Sequence, residues 1–291
     1  MTVSTLKELG DIGRSAWDNA DYALLESTGR ELISRGENEG DAAGRALGYR
    51  YLGVARIAAS DETGAKAALY TALQMFSELG DTVNAANVML SLATVAVELR
   101  LDVTEAHGLS EEALGMLRAA GASDRVAVAL GNLGEVYRQE GDYRRALAAA
   151  TEALEIFQEV GDHARAGWQL TNIAHLHVLR RDDEKARDFL QRAYDELCIA
   201  KNPRWFTIYF DVWFMFATRL ERWETAAQIQ GFLEKYRDEN RVPRLLGLFP
   251  WYAPSVERLH EHLPNARYDE LNERGAELSL EEAYALTANV R

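Results

Sequence analysis

The chain has 291 residues, 47% of them hydrophobic and 27% charged, an ordinary globular balance that excludes wholesale disorder. Its formal net charge of −14 repels phosphate backbones, so direct nucleic-acid binding is not expected, whereas a cationic or locally neutral partner is accommodated easily. No apolar run approaches the roughly 20 residues of a membrane helix, the opening MTVSTLKELGDIG lacks the basic and apolar regions of a secretion signal, and the lone Cys198 cannot form an intrachain disulfide, so no membrane association and a cytoplasmic, reducing environment are expected.

From the N-terminus onward the chain repeats itself. Apolar–small pairs open six units: Ile12-Gly13, Leu52-Gly53, Leu92-Ala93, Leu133-Gly134, Ile173-Ala174 and, with both members large, Trp213-Phe214. The second members are spaced by 40, 40, 41, 40 and 40 residues. A small residue follows twelve positions later at Ala65, Ala146, Ala186 and Ala226, and one position late at Ala106, which absorbs the single 41. Seven residues further on stand Ala72, Ala113, Ala153 and Ala193. Gly40-Asp41, Gly80-Asp81, Gly121 with Asp124, and Gly161-Asp162 mark loops between units, and Gly141-Asp142 marks a turn inside one. The first unit departs most, with Leu25 and Leu32 in the alanine places. No proline precedes Pro203, as a run of consecutive helices requires.

This pattern predicts antiparallel helix pairs. Small residues at Gly134, Ala146 and Ala153 would let the two helices approach, and larger apolar residues would fill the gaps. One pair cannot bury its own apolar face, so the units must stack. Residues 1–235 are expected to form the helical repeat array, and residues 236–291 a proline-containing loop followed by capping helices. Ser279 with Glu282 forms a capping box at the start of the last helix.

The stretch NLGEVYRQEGDYRRALAAATEAL carries a small–aromatic–small ladder at Gly134, Tyr137, Ala146 and Ala153 and resembles a tetratricopeptide repeat (TPR), here with a period near 40 rather than the family's 34. The resemblance covers about residues 5 to 235. It implies an all-α, right-handed superhelix (an α-solenoid) of five to six helix pairs, closed by a C-terminal helical cap. The tail, from Ala226-Ala227 through Gly231, at Pro254 of its loop, and from Gly275 through Ala283, resembles the C-terminal end of actinobacterial LuxR-type and antibiotic-pathway ATPase transcription regulators. That likeness implies a bacterial regulatory role. No phosphate-binding G-x-x-x-x-G-K-[ST] loop and no basic recognition helix occurs in this sequence.

Asn132 and Asn172 occupy equivalent places, just before the apolar–small pair, where Tyr51 and Ser91 stand in earlier units. The family resemblance implies that an asparagine there hydrogen-bonds the backbone of a ligand in the concave groove, and an amide can both donate and accept. Tying one helix pair to the next is the alternative role. The same helical face carries Arg50, Val54, Leu90, Thr94, Glu135, Arg138, Trp168, Thr171, His175, Asp211 and Met215. Aromatics concentrate late, and Trp168, Trp205 and Tyr209 either wall an apolar ligand pocket or extend the core, whereas Trp213 and Phe214 read as core. Phe249, Trp251 and Tyr252 continue this aromatic bias.

No structural metal or other cofactor is expected. His175 and His177, like His260 and His262, are two apart and point to different sides of a helix, and Cys198 has no partner at ligand spacing. His177 stands where Tyr137 does in the preceding unit and reads as a packed interior residue. No nucleophile–base arrangement can be specified, so an enzyme is not expected; an adapted groove would have to rely on His175, Glu135 or Asp211. The expectation is a module that binds a protein or peptide, with regulatory output, and with oligomerisation possible. A small-molecule sensor using the late aromatics is the alternative.

Overall fold

A computed structural model of the protein describes residues 5–98, 103–242 and 251–290. These residues contain fifteen helices and no strand. The chain divides into two compact units, Met1–Gly161 and Asp162–Arg291.

The first unit holds four helix pairs: α1 (Leu6–Asp18) with α2 (Tyr22–Glu39), α3 (Ala42–Ala58) with α4 (Glu62–Glu78), α5 (Thr82–Glu98) with α6 (Val103–Ala119), and α7 (Ser123–Gln139) with α8 (Tyr143–Glu159). First helices of neighbouring pairs also touch, α1 with α3, α3 with α5 and α5 with α7. The second unit holds the pairs α9 (His163–Leu179) with α10 (Asp183–Ala200) and α11 (Pro203–Arg219) with α12 (Trp223–Asn240). Three shorter helices follow, α13 (Tyr252–His262), α14 (Asn265–Ala276) and α15 (Leu280–Thr287). Pro254, expected in the connecting loop, instead lies in the first turn of α13, where a missing N–H costs no helical hydrogen bond, and Pro243, Phe249 and Pro250 lie outside the described residues.

One local device ends nearly every helix. A residue with positive φ stands at Ala20, Gly40, Ser60 and Gly80, and again at Gly121, Gly141, Gly161, Arg181, Lys201, Glu221 and Arg241. Within each series the spacing is 20 residues, half the repeat. The next N–H then bonds a carbonyl five residues back, as Asp41 N does to Gly36 O (2.9 Å) and Asp142 N to Tyr137 O (2.9 Å), which closes the helix. That next residue is often an aspartate that opens the following helix: Asp21, Asp41, Asp61, Asp81, Asp142 and Asp162 each accept the N–H three residues on at 2.9 to 3.0 Å. A single Asp thus finishes one helix and caps the next.

The alanine positions behave as the periodicity predicts. Ala65, Ala72, Ala106, Ala113, Ala146, Ala153, Ala186, Ala193 and Ala226 are fully buried. In the first unit Leu25 and Leu32 fill the same places and are also fully buried. Gly134 needs a correction. A Cβ added there would meet Ala146 O at 3.5 Å, ordinary contact, so this close approach does not require glycine. The demanding glycines lie elsewhere. A Cβ at Gly29 would stand 2.8 Å from Gly48 O, and one at Gly48 would stand 2.7 Å from Gly29 O, so α2 and α3 cross backbone to backbone. The second unit repeats the device between α12 and α14, where a Cβ at Gly231 would fall 2.0 Å from Asn272 O and one at Gly275 would fall 2.0 Å from Gln228 O.

The C-terminal helices cover the last pairs of their unit. α14 lies on α12 through that glycine crossing. α15 opens on the expected capping box, with Glu282 N donating to Ser279 Oγ (3.2 Å) and Ser279 N to Glu282 Oε2 (2.9 Å). Its Tyr284 stacks on Tyr194 of α10 at 3.6 Å, and Arg187 Nε of α10 donates to Val290 O at 3.0 Å. Large aromatic residues fill the interior of this unit: Phe206, Tyr209, Phe210, Trp213, Phe214 and Phe216 are all buried.

Gly231→Ala forces a methyl group into the Asn272 carbonyl and should cost roughly 3 kcal/mol, whereas Gly134→Ala should be neutral or stabilising by about 0.5–1 kcal/mol through helix propensity; urea-unfolding midpoints separate the two. At the helix ends, Gly141→Ala should destabilise by about 1 kcal/mol and Arg181→Gly should stabilise by a similar amount, because both positions hold φ near +60 to +80°. Thermal unfolding of the two variants should shift in opposite directions.

Candidate functional site

In the first unit the candidate face is carried by α3, α5 and α7. At the position equivalent to Asn132, α3 has Tyr51, which is buried and donates its hydroxyl to Gly10 O at 2.8 Å. Its ring lies where a Cβ of Gly13 would go, 2.2 Å away, so Tyr51 is a structural tie between α1 and α3. Arg50 beside it is half-buried, lies over the Trp17 ring at 4.7 Å, and donates from Nε to Ser91 Oγ of α5 at 3.5 Å. Burial, partly opposed by the Tyr51 phenol and reinforced by Arg125 and Arg14, pushes the Arg50 pKa down to about 10. Val54 and Leu90 are buried, and half-buried Thr94 returns its hydroxyl to Leu90 O at 2.9 Å.

Asn132 of α7 is half-buried, and its amide makes no hydrogen bond among the described residues. One turn on, Glu135 is committed to its own helix. Arg138 Nε donates to Glu135 Oε2 at 2.8 Å, Arg138 Nη2 donates to Oε1, and Gln139 Nε2 donates to Oε1 at 3.1 Å. Burial alone would depress the Arg138 pKa, but the Glu135 charge and hydrogen bonds more than compensate and the net shift is upward. The pair gives α7 a fixed, paired charge beside an open amide.

In the second unit Asn172 of α9 repeats the environment of Asn132: half-buried, with no side-chain hydrogen bond among the described residues. One turn before it, half-buried Trp168 stacks on Trp205 of α11 at 5.1 Å, and Arg204 lies over the Trp205 ring at 5.0 Å. The guanidinium and the indole pair form a cation–π ledge beside the amide.

The other candidates in this unit are buried. Thr171 donates back to Gly167 O at 2.9 Å, and His175 packs edge-on against Trp251 at 6.1 Å. Asp211, with no exposed surface, receives Arg237 Nη2, an ion pair that ties α11 to α12. Tyr209 is fully buried against Phe210 (5.0 Å) and Tyr194 (5.9 Å), and burial holds its phenol well above the usual range. Met215 is buried as well. The cause is the surroundings of α11, which α9, α10, α12 and α13 all contact, so its candidate face has no open side. Trp205 is half-buried at the edge of this unit and Tyr209 lies in its core, so the two do not share one environment.

His177 is a packed interior residue, stacked on Phe189 at 5.4 Å with Nδ1 3.3 Å from Asp182, and burial lowers its pKa despite that carboxylate. Among the described residues no three His, Cys, Asp or Glu side chains converge as a metal-ligand set, and no helix is long and apolar enough to cross a membrane. Sequence reasoning places Ser91 at the asparagine position but misses Trp17 and Arg204. Trp17, isolated among polar residues of the first helix, is the one available signal for the first.

Comparison with known proteins places this geometry in a fold group. Residues 125–195 match the tetratricopeptide repeat family. No curated protein matches the sequence significantly. A Rap protein complexed with competence and sporulation factor is 14% identical, with a TM-score of 0.73, covering 96% of this chain and 74% of that one. The Rap conjugation gene regulator of plasmid pLS20, in complex with the Phr* peptide, is 13% identical with a TM-score of 0.63, covering 93% and 75%. A signal-transduction ATPase (STAND) protein with a tetratricopeptide repeat sensor, from Pyrococcus horikoshii, is 14% identical with a TM-score of 0.54, covering 92% of this chain and 41% of that one. At these identities the likeness establishes the fold alone: an all-helical fold like that of these structures, with the tetratricopeptide repeat match confined to residues 125–195.

Proposed function

We propose that the chain is a partner-binding module that takes a peptide segment on its first-helix faces and passes the bound state to a regulatory output. The observation that carries this reading is the pair Asn132 and Asn172. They stand one repeat apart in sequence, half-buried, each with an amide that no described residue uses. An amide left open beside a fixed ion pair (Glu135–Arg138) or an aromatic ledge (Trp168–Trp205) suits a peptide, whose backbone offers a donor and an acceptor at every residue and whose side chains need specific neighbours. Of the structures that share the fold, one holds the Phr* peptide and another competence and sporulation factor, and the first supports the same class of ligand here. The regulatory half rests on the neighbour in which such repeats are the sensor of an ATPase and on the tail's resemblance to LuxR-type regulators.

The test is native mass spectrometry of the full chain recovered from its own host, with Asn132→Ala/Asn172→Ala alongside. The wild type should carry a peptide that mild acid releases, and a synthetic copy of that peptide should bind the double variant about tenfold more weakly or worse, as expected where even one asparagine's amide supplies a donor and an acceptor to the ligand backbone. Thermal stability should not change, because neither amide has an internal partner. Equal affinity in the double variant removes the asparagines from recognition. A bound small molecule in place of a peptide removes the peptide reading itself.

A further inference from the structure

The chemistry that the fold leaves incomplete in the first unit is at Arg50. Its guanidinium lies over the Trp17 indole at 4.7 Å, with Nε donating to Ser91 Oγ at 3.5 Å. Among the described residues that long bond is its only hydrogen bond, and no carboxylate stands within ion-pair distance. Both Nη groups are therefore uncommitted donors, arranged in the fork that matches a carboxylate. The charged groups acting on Arg50 are themselves cations, Arg14 from α1 and Arg125 from α7. Arg125 already has an acid, Asp124 at 3.2 Å, and Arg14 lies against the Tyr51 hydroxyl, which also feels Asp11. In a chain of net charge −14, two further arginines, from α1 and α7, act on one guanidinium that has no carboxylate within ion-pair distance among the described residues. Burying a cation without a partner is costly, and an internal acid would have been the simple remedy. Neighbouring guanidinium groups add to the cost and raise the local positive potential. An arrangement that disfavours the empty state in this way favours an anion supplied from outside.

We infer that Arg50, positioned by Trp17 and Ser91, anchors a carboxylate of the bound segment, with Arg14 and Arg125 supplying the surrounding positive field. The source of the carboxylate rests on the peptide reading given above, but the site itself does not. One carboxylate fits better than a polyanion, because a single fork is offered and the rest of the surface is acidic. A peptide C-terminus and an Asp or Glu side chain present the same group.

Three capped tripeptides serve as probes on the full chain: N-acetyl-Gly-Gly-Gly with a free C-terminus, its C-terminal carboxamide, and N-acetyl-Gly-Glu-Gly carboxamide. Binding is followed at the Arg50 Nε–Hε resonance, assigned by its loss in Arg50→Met. The first or third probe should shift that resonance saturably, and the uncharged carboxamide should not. Response to the first probe alone identifies a chain terminus, and to the third alone a side chain. Arg50→Met should also melt at the same temperature as the wild type or roughly 2–4 °C higher, since it removes an unpaired, partly buried cation while keeping the apolar stem on Trp17. Silence of both carboxylate probes overturns the inference, and a lower melting temperature alongside it makes Arg50 an internal brace. Asn132→Ala/Asn172→Ala should keep full response to the probes, so loss of a host peptide in that variant tests the peptide reading independently of the Arg50 site.

Discussion

The left-handed residue that ends eleven of the fifteen helices is the constraint on which the rest of the structure depends. It lets the next N–H fold back to a carbonyl five residues earlier, and where that N–H belongs to an aspartate the same residue opens the next helix. Helix, turn and cap then form one 20-residue module, and eight of the twelve helices before residue 241 are 17 residues long as a result. Residues 40 apart consequently fall in equivalent places on equivalent helices. Six of these left-handed positions are not glycine, among them Ser60, Arg181 and Glu221. Each carries a local strain of order 1 kcal/mol, and the closing hydrogen bonds and the helix packing offset it.

Within that frame, packing is governed by how near two backbones must come. Alanines at the repeat positions are enough where a side chain fills the gap between helices. Where carbonyl meets α-carbon, only glycine serves, and the structure uses such crossings once in each unit: Gly29 against Gly48, and Gly231 with Gly275. The second crossing seats α14 on α12. It covers the last pair, which has no following repeat inside its unit to bury it, while Tyr284 of α15 stacks on Tyr194 of α10. The aromatic interior of α11 belongs to the same solution, since this helix is enclosed by four others and needs apolar bulk on nearly all sides.

What can be read from the sequence follows the range of the interaction responsible. The period, the Gly-Asp turns and the Ser279–Glu282 box are local patterns, and the structure has them where the residues indicate. The equivalence of Asn132 and Asn172 is legible for the same reason. The role of Gly134 is not, because whether a glycine is required depends on a carbonyl of another helix that sequence spacing does not reveal. Asp211, Met215 and Tyr209 share a helical face with candidates elsewhere in the chain, yet the packing around α11 closes over them. The Arg50–Trp17 stack joins helices of two different pairs, and no local pattern marks it. Trp205 beside Trp168 is suggested only by an excess of aromatics over what the repeat needs.

A repeat frame also separates support from recognition by a physical criterion. At equivalent positions, Tyr51 spends its hydroxyl on Gly10 and its ring on Gly13, whereas Asn132 and Asn172 spend nothing on the fold. Glu135 and Arg138 pair with each other, so their charges are fixed features that a ligand meets but need not satisfy, whereas the Asp211–Arg237 pair is buried and serves the fold. A half-buried amide left open costs little, since water can serve it when no ligand does. Arg50 is different, because its guanidinium is partly withdrawn from water among other cations and the empty state is penalised. Open amides therefore allow a choice of ligands, while an uncompensated guanidinium demands one chemical group. On these faces the asparagines offer backbone recognition at low energetic risk, and Arg50 supplies the selectivity that amides cannot.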